Sequence, residues 1–313
     1  MSRVYEALQK SQGESPSASP LVSGGPEAAP GEATAVAVAA GVPLGTPMDA
    51  TWLKVPADRI LRPTPTPEQR LVALADPNSQ GAEMFRVLAT RLAHMQNKRR
   101  LQKLLITSSV GDEGKSVVSV NLALTLARRH NARTLLIEAD LRRPSASTLL
   151  TSSPLRGISD WDAGKLSLED SLYQVNDLPL WFLSAGQGMQ EPLPLLESDR
   201  FAKMLDTISS TFDWVLLDAT PMLPMADATS LSRLCDGVLV VVREGFTRRR
   251  VLDKALESIE KSKLLGVVFN EASMLNIDYD RYYGGGNNSS GKSKKEAKKQ
   301  PDKEADKVTA ATA

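Results

Sequence analysis

The chain has 313 residues, of which 42% are hydrophobic and 24% charged, and its formal net charge is +1. That is enough apolar residue for one sizeable α/β core with tails, and the near-neutral balance gives no case for nucleic acid as a partner. The single cysteine, Cys235, excludes a disulfide framework and suits a reducing cytoplasm, where it reads as a small core residue. The most apolar tail segment, "TAVAVAAGVPLG" (34–45), is too short for a membrane span and is broken by glycine and proline. The first residues also lack the basic-then-apolar order of a signal peptide. The expected location is cytoplasmic, with any membrane role arriving through a partner.

In chain order, "MSRVYEALQKSQ" (1–12) predicts a short amphipathic helix, with Val4, Tyr5 and Leu8 on one face and Ser2 as cap. Residues 13–67 form a linker rich in proline, glycine and alanine, with little to bury. A small helix on such a tether is suited to docking. Order is expected over 68–283. "GAEMFRVLATRLAHM" predicts a helix with Met84, Leu88 and Leu92 on one stripe. Five apolar runs then read as buried strands: "KLLITSS", "RTLLIEADLRRPS", "DWVLLDATPML", "DGVLVVVREGFT" and "KLLGVVFNEA". Helical segments are expected at 197–210, 226–235 and 247–262. Strands alternating with helices specify a doubly wound, mostly parallel sheet. Residues 284–313 are a Lys-rich tail of disordered composition.

The first run leads into "VGDEGKSVVSVNLALTLARR", where Val118, Leu122, Ala123 and Leu126 recur at helical spacing. A strand feeding a glycine-bearing loop and then a helix aims backbone N–H groups and the positive end of a helix dipole at one point, which suits a phosphate. Gly114, Lys115 and Ser116 fit G-x-x-x-x-G-K-[ST], although Ser109 stands at the first glycine and Gly111 supplies freedom inside the loop. The candidate nucleotide-binding set is therefore Gly111, Asp112, Glu113, Gly114, Lys115, Ser116 and Val117. Lys115 would reach the β/γ-phosphates and Ser116 would ligate Mg²⁺. Glu138 and Asp140 follow "TLLI", and Asp218 follows "WVLL". Ligands of such sheets sit outside the carboxyl ends of the strands, and Mg²⁺ takes carboxylates plus waters. Ser116, Asp140 and Asp218 are thus the candidate metal residues, with Arg142 and Arg143 placed to offset charge on the phosphates.

These motifs, over roughly residues 68–283, resemble the bacterial tyrosine kinases (BY-kinases) of the CpsD/CapB group, which serve capsule and exopolysaccharide production. "TSSVGDEGKSVVSVNLA" is similar to their Walker A, "TLLIEADLRRPS" to their Walker A′, and "FDWVLLDATPMLPMADATSLSRLCDGVLVVVREGFT" to their Walker B and the segment after it. "GISDWDAGKLSLEDSL" (157–172) resembles the stretch between, and "MSRVYEALQKSQ" the start of autokinases found with exosortase-linked polysaccharide systems. The fold is shared with MinD/ParA-type P-loop ATPases. Those place an extra lysine five residues before the catalytic one, where this chain has Val110.

The resemblance implies ATP and Mg²⁺ as cofactors and tyrosine phosphorylation in trans between subunits of a ring. It also implies a membrane polysaccharide co-polymerase that activates the kinase and brings it to the inner face of the membrane. It assigns catalytic work to Lys115, Asp140, Asp218 and Arg142, with Glu138 polarising the attacking tyrosine. The autophosphorylated cluster would be Tyr279, Tyr282 and Tyr283, and Glu83 with Arg86 would serve oligomerisation. The sequence departs from the family pattern at two places: Glu138 stands where the family has aspartate, and Ala89 where E-x-x-R-x-x-R has its second arginine. Two other readings stay open, a non-kinase ATPase switch and a nucleotide-binding regulatory scaffold.

Overall fold

The computed structural model describes residues 53–271. The expected helix 1–12, the first part of the linker, Tyr279, Tyr282, Tyr283 and the tail 284–313 lie outside the described residues.

The chain forms β1 (Ile60–Leu61), the short α1 (Val72–Ala75), α2 (Gln80–Gln96), β2 (Lys103–Ser108), α3 (Lys115–His130) and β3 (Thr134–Glu138). It continues through α4 (Ala146–Leu150), α5 (Ile158–Asp162), β4 (Leu172–Val175), β5 (Leu180–Leu183), α6 (Leu193–Leu196) and α7 (Asp199–Ser209). Then come β6 (Trp214–Asp218), α8 (Asp227–Leu234), β7 (Gly237–Arg243), α9 (Arg249–Glu257) and β8 (Leu264–Asn270). One eight-stranded sheet has the order β1-β4-β5-β3-β6-β2-β7-β8, and every pairing is parallel except β4 with β5.

Alternation along the strands builds two cores, one on each face of the sheet. Leu105, Ile137, Leu183, Leu217 and Val240 point to the face covered by α7 and α8. Leu104, Ile106, Leu136, Phe182, Leu216 and Val241 point to the face covered by α2 and α3. Strands buried on both faces read as continuous apolar runs, which is why β2, β3, β6 and β7 stand out in the sequence. Each fully buried Leu, Ile or Val contributes about 1.5–3 kcal/mol of apolar transfer energy.

Three features differ from the sequence expectation. β4 and β5 form a hairpin around Asn176–Asp177–Leu178–Pro179, with Asn176 at φ 50. Part of the expected linker is structured: β1 pairs with β4, and the Leu53 carbonyl accepts the Trp181 indole N–H at 3.2 Å. On α2 the inward face is Ala82, Ala89 and Leu92, with Phe85, Leu88 and Met95 flanking it, while Met84 is 37% exposed. The stripe runs through Ala89 because the axis of α2 packs on α3, where a small side chain lets the helices approach.

Candidate active site

The carboxyl ends of β2, β3 and β6 are held together by backbone bonds. The Asp218 carbonyl accepts the N–H groups of Ala139 and Asp140, both at 2.8 Å, and the Ile106 carbonyl accepts Ala219 N–H at 3.0 Å. Glu138 is thereby in register with Asp218 across β3 and β6.

The loop from β2 to α3 is closed by its own side chains. The Glu113 carboxylate is buried and accepts Val110 N–H at 2.8 Å and the Thr247 hydroxyl. The Asn270 side-chain amide, at the end of β8, donates to the Glu113 carbonyl at 3.0 Å. Asp112 and Gly114 both take positive φ, 62 and 83. A β-carbon on Gly114 would lie 2.0 Å from Asn270 Nδ2, so position 114 needs glycine for its backbone and for its space. Gly111 has nothing within 4 Å of an added β-carbon and is not sterically required. Val117 is half-buried in the first turn of α3, and Val118 N–H donates to the Gly114 carbonyl at 3.0 Å.

Lys115 opens α3, and its ammonium sits 2.9 Å from Asp140 Oδ2. Burial would lower its pKa, but Asp218 and Asp140 outweigh that and hold it above the ordinary lysine value. Asp140 is fixed through its other oxygen, which accepts Arg143 N–H at 3.0 Å. Asp218 is fully buried, and burial pushes its pKa up to about 6, aided by Glu138 and Asp140 and opposed by Lys115 and the Ser116 hydroxyl. Its Oδ1 accepts the Ser119 hydroxyl at 3.2 Å, and its Oδ2 has no partner among the described residues. The Ser116 hydroxyl lies 2.7 Å from that of Ser145.

Four buried side-chain atoms lack a partner among the described residues, and three of them, Ser109 Oγ, Asp218 Oδ2 and Thr220 Oγ1, lie at the ends of β2 and β6. Buried polar atoms without partners are costly unless something fills the site. An orphaned carboxylate oxygen, a caged ammonium and a helix N-terminus together fit a magnesium nucleotide, because Mg²⁺ is held by one or two carboxylates plus phosphate oxygens. A pocket of about 200 Å³ opens at the start of α3, lined by Asp112, Gly114, Lys115, Ser116, Ser145 and Thr148. Thr148 also borders a pocket of about 630 Å³ between the 147–156 segment and the Ser184–Gly188 loop.

Two of the expected residues have their side chains engaged by partners other than Lys115. Arg142 is clamped by buried Asp227, Nε to Oδ2 at 2.7 Å and Nη2 to Oδ1 at 3.3 Å, and it donates to the Gln190 carbonyl at 2.6 Å. It braces the start of α8 in this arrangement. Glu138 is fully buried beneath α4 and the end of β5. Glu83 and Arg86 pair with each other within α2, and Arg86 also donates to the Pro77 carbonyl at 2.5 Å. Ser119, Ser145, Asp227, Thr247 and Asn270 were not anticipated from the sequence. Ser119 is legible in retrospect, one turn beyond Lys115 on the same helix, whereas Thr247, in the loop after β7, and Asn270, at the end of β8, arrive from far away in sequence.

A parallel sheet whose β2–α3 loop presents a lysine and a hydroxyl to two strand-end carboxylates is a P-loop nucleotide-binding architecture. No family model matches the chain. It is 30% identical over 219 residues to the tyrosine-protein kinase YwqD of Bacillus subtilis, covering 69% of this chain and 92% of that one. It is 32% identical over 215 residues to the succinoglycan biosynthesis transport protein ExoP of Rhizobium meliloti, covering 66% of this chain and 27% of that longer protein. Among solved structures, the kinase domain of the Escherichia coli tyrosine kinase ETK superposes with a TM-score of 0.59 at 28% identity, covering 64% of this chain and 79% of that one. The chain belongs to the bacterial tyrosine-kinase family. Among the described residues no helix is long and apolar enough to cross a membrane.

Proposed function

We propose that this chain is an ATP- and Mg²⁺-dependent protein-tyrosine autokinase that regulates exopolysaccharide or capsule assembly. The observation that carries the reading is the Lys115 ammonium held 2.9 Å from Asp140 beside a buried Asp218 oxygen that has no partner among the described residues. Bound MgATP would supply the phosphoryl group and the metal's charge. Lys115 holds the β/γ-phosphates and stabilises charge on the transferring group. Ser116, Asp140 and Asp218 hold the metal and its waters. Gly111, Asp112, Glu113, Gly114 and Val117 shape the cradle. The 630 Å³ pocket beyond Thr148 gives an acceptor side chain room to approach.

The tyrosines Tyr279, Tyr282 and Tyr283 are the acceptors in this reading, supplied by a second copy of the chain. A membrane polysaccharide co-polymerase is the proposed activator in trans, which would bring a cytoplasmic kinase to the inner face of the membrane. The similarity to a protein named for succinoglycan biosynthesis and transport supports the polysaccharide link.

The test is phosphotyrosine on the purified full chain after incubation with MgATP, compared with Lys115→Met. Loss of one such charge-stabilising group costs about 10²–10³ in rate. Phosphotyrosine is expected in the wild type and at background in the variant. Undiminished phosphotyrosine in Lys115→Met would overturn the site, and ATP hydrolysis without phosphotyrosine would favour the ATPase-switch reading.

A further inference from the structure

We infer that Glu138 is a positioning residue that braces the wall shared by the nucleotide and acceptor pockets, and that it does not act on the acceptor hydroxyl. This deepens the kinase reading and rests on it for the identity of the two pockets.

Every lone pair of the Glu138 carboxylate is already engaged. An ionised carboxylate offers about four acceptor positions, two on each oxygen. Glu138 Oε1 accepts Ser147 N–H at 2.8 Å and the Ser147 hydroxyl at 3.0 Å. Oε2 accepts Ala185 N–H at 3.1 Å and the Ser184 hydroxyl at 3.2 Å. All four positions are filled, and the residue is 0% exposed. A general base must lie within hydrogen-bond reach of the proton it takes, with a lone pair directed at it. Glu138 has none left to direct.

The same four bonds reach both pockets. Ser147 lies in the first turn of α4, so its N–H is one of the donors that a helix start leaves without an intrahelical partner, and Glu138 satisfies it. Fixing that turn fixes Ser145 before it, whose hydroxyl meets that of Ser116 at 2.7 Å, and Thr148 after it, which lines both pockets. The other oxygen fixes Ser184 and Ala185, whose carbonyls accept Ile158 N–H at 2.9 Å and Ser159 N–H at 3.0 Å at the start of α5. Gly157 permits this approach, since a β-carbon there would lie 2.0 Å from the Ser184 carbonyl oxygen. Glu138 thus joins β3, α4 and the β5–α6 loop at one buried point. The extra methylene relative to aspartate gives the carboxylate the length to reach both Ser147 and Ala185.

In Glu138→Gln the side-chain amide cannot accept on both ends, so either Ala185 N–H or the Ser147 pair faces a donor. Ser147→Ala is a milder variant that removes one hydroxyl and leaves the backbone bond. Both variants and the double variant are to be compared with wild-type full chain for MgADP dissociation constant, kcat and KM for autophosphorylation, and melting temperature. Residues that support ligand-holding groups typically alter affinity or activity about 10- to 100-fold, and the lower end is expected where the ligands themselves are untouched. Glu138→Gln is expected to weaken MgADP binding about tenfold and to lower kcat by no more than about the same factor. Ser147→Ala should move both in the same direction, and the double variant should be no worse than Glu138→Gln alone, because both act through one bond.

Loss of about 10²-fold or more in kcat with MgADP affinity unchanged, and no effect of Ser147→Ala, would mark Glu138 as the base and overturn the inference. A fall in melting temperature with unchanged MgADP affinity would also overturn it, leaving Glu138 a purely structural residue. If the wild type forms no phosphotyrosine, the kinase reading fails while MgADP affinity still decides the role of Glu138, since a base for the acceptor has no part in holding the product nucleotide.

Discussion

Burial of Asp218 comes at the expense of stability. Its folded pKa of about 6 lies above the ordinary 3.8, so between those values the folded chain binds more protons than the unfolded one. Stability therefore falls as pH rises through that window, and the full cost, about 3 kcal/mol for a shift of about two units, is present above pH 6. Asp218→Asn should raise the melting temperature of the nucleotide-free protein at pH 7.5, and by more than it does at pH 5. Part of the gain is offset because Lys115 loses one of its two carboxylates. The same variant should abolish phosphotransfer. Melting curves at both pH values, with and without MgADP, check this, and equal shifts at pH 5 and 7.5 would refute the titration argument. At this scale the sequence was informative where chemistry follows a strand or opens a helix: Lys115, Ser116, Asp140 and Asp218 converge. It was less so for Arg142, whose partner Asp227 lies 85 residues further on, and for Glu138, whose four donors come from two other segments.

Among the elements, α2 shows how an apolar stripe can be misplaced by one step. Met84, Leu88 and Leu92 have helical spacing, but so do Phe85, Ala89 and Leu92, and only packing on α3 selects the second set. Ala89 is fully buried in that packing. The family's second arginine therefore has no room here, and Ala89→Arg should lower stability by about 3 kcal/mol or more, through overpacking and a buried unpaired charge. Melting temperature measures it, and a variant as stable as wild type would show that α2 can rotate to expose this position. The half-buried Glu83–Arg86 pair, by contrast, is worth only about 0.2–0.5 kcal/mol as a helical pair. The parallel strands β2, β3, β6 and β7 were legible because they are buried on both faces. The hairpin of β4 and β5 was not, since four-residue apolar runs do not distinguish strand from helix by period. The Asn176–Asp177 turn between two such runs was the available signal. β1 has only two residues and owes its existence to an edge supplied by β4.

For the whole molecule, the proposed trans reaction makes assembly depend on the modification state of the tail. Each phosphate on Tyr279, Tyr282 or Tyr283 adds roughly −1.5 to −2 charges at neutral pH, next to Asp278 and Asp280. Such a segment would be repelled by the carboxylates of a neighbour's site, so phosphorylation should release subunits. Light scattering in MgATP should give a lower mass for wild type than for a Tyr279/Tyr282/Tyr283→Phe triple variant. Equal masses with a demonstrably phosphorylated wild type would refute the release mechanism.

The strand order carries a consequence for how such a chain is handled by others. β1, the first strand, and β8, the last, occupy opposite edges of the sheet. Eight strands side by side at about 4.8 Å set those edges about 34 Å apart. The described chain thus enters the sheet at one edge, at Ile60, and leaves it at the opposite one, at Asn270. A partner docked along the β1 edge would leave the β8 edge open, so two such contacts need not compete for the same ground.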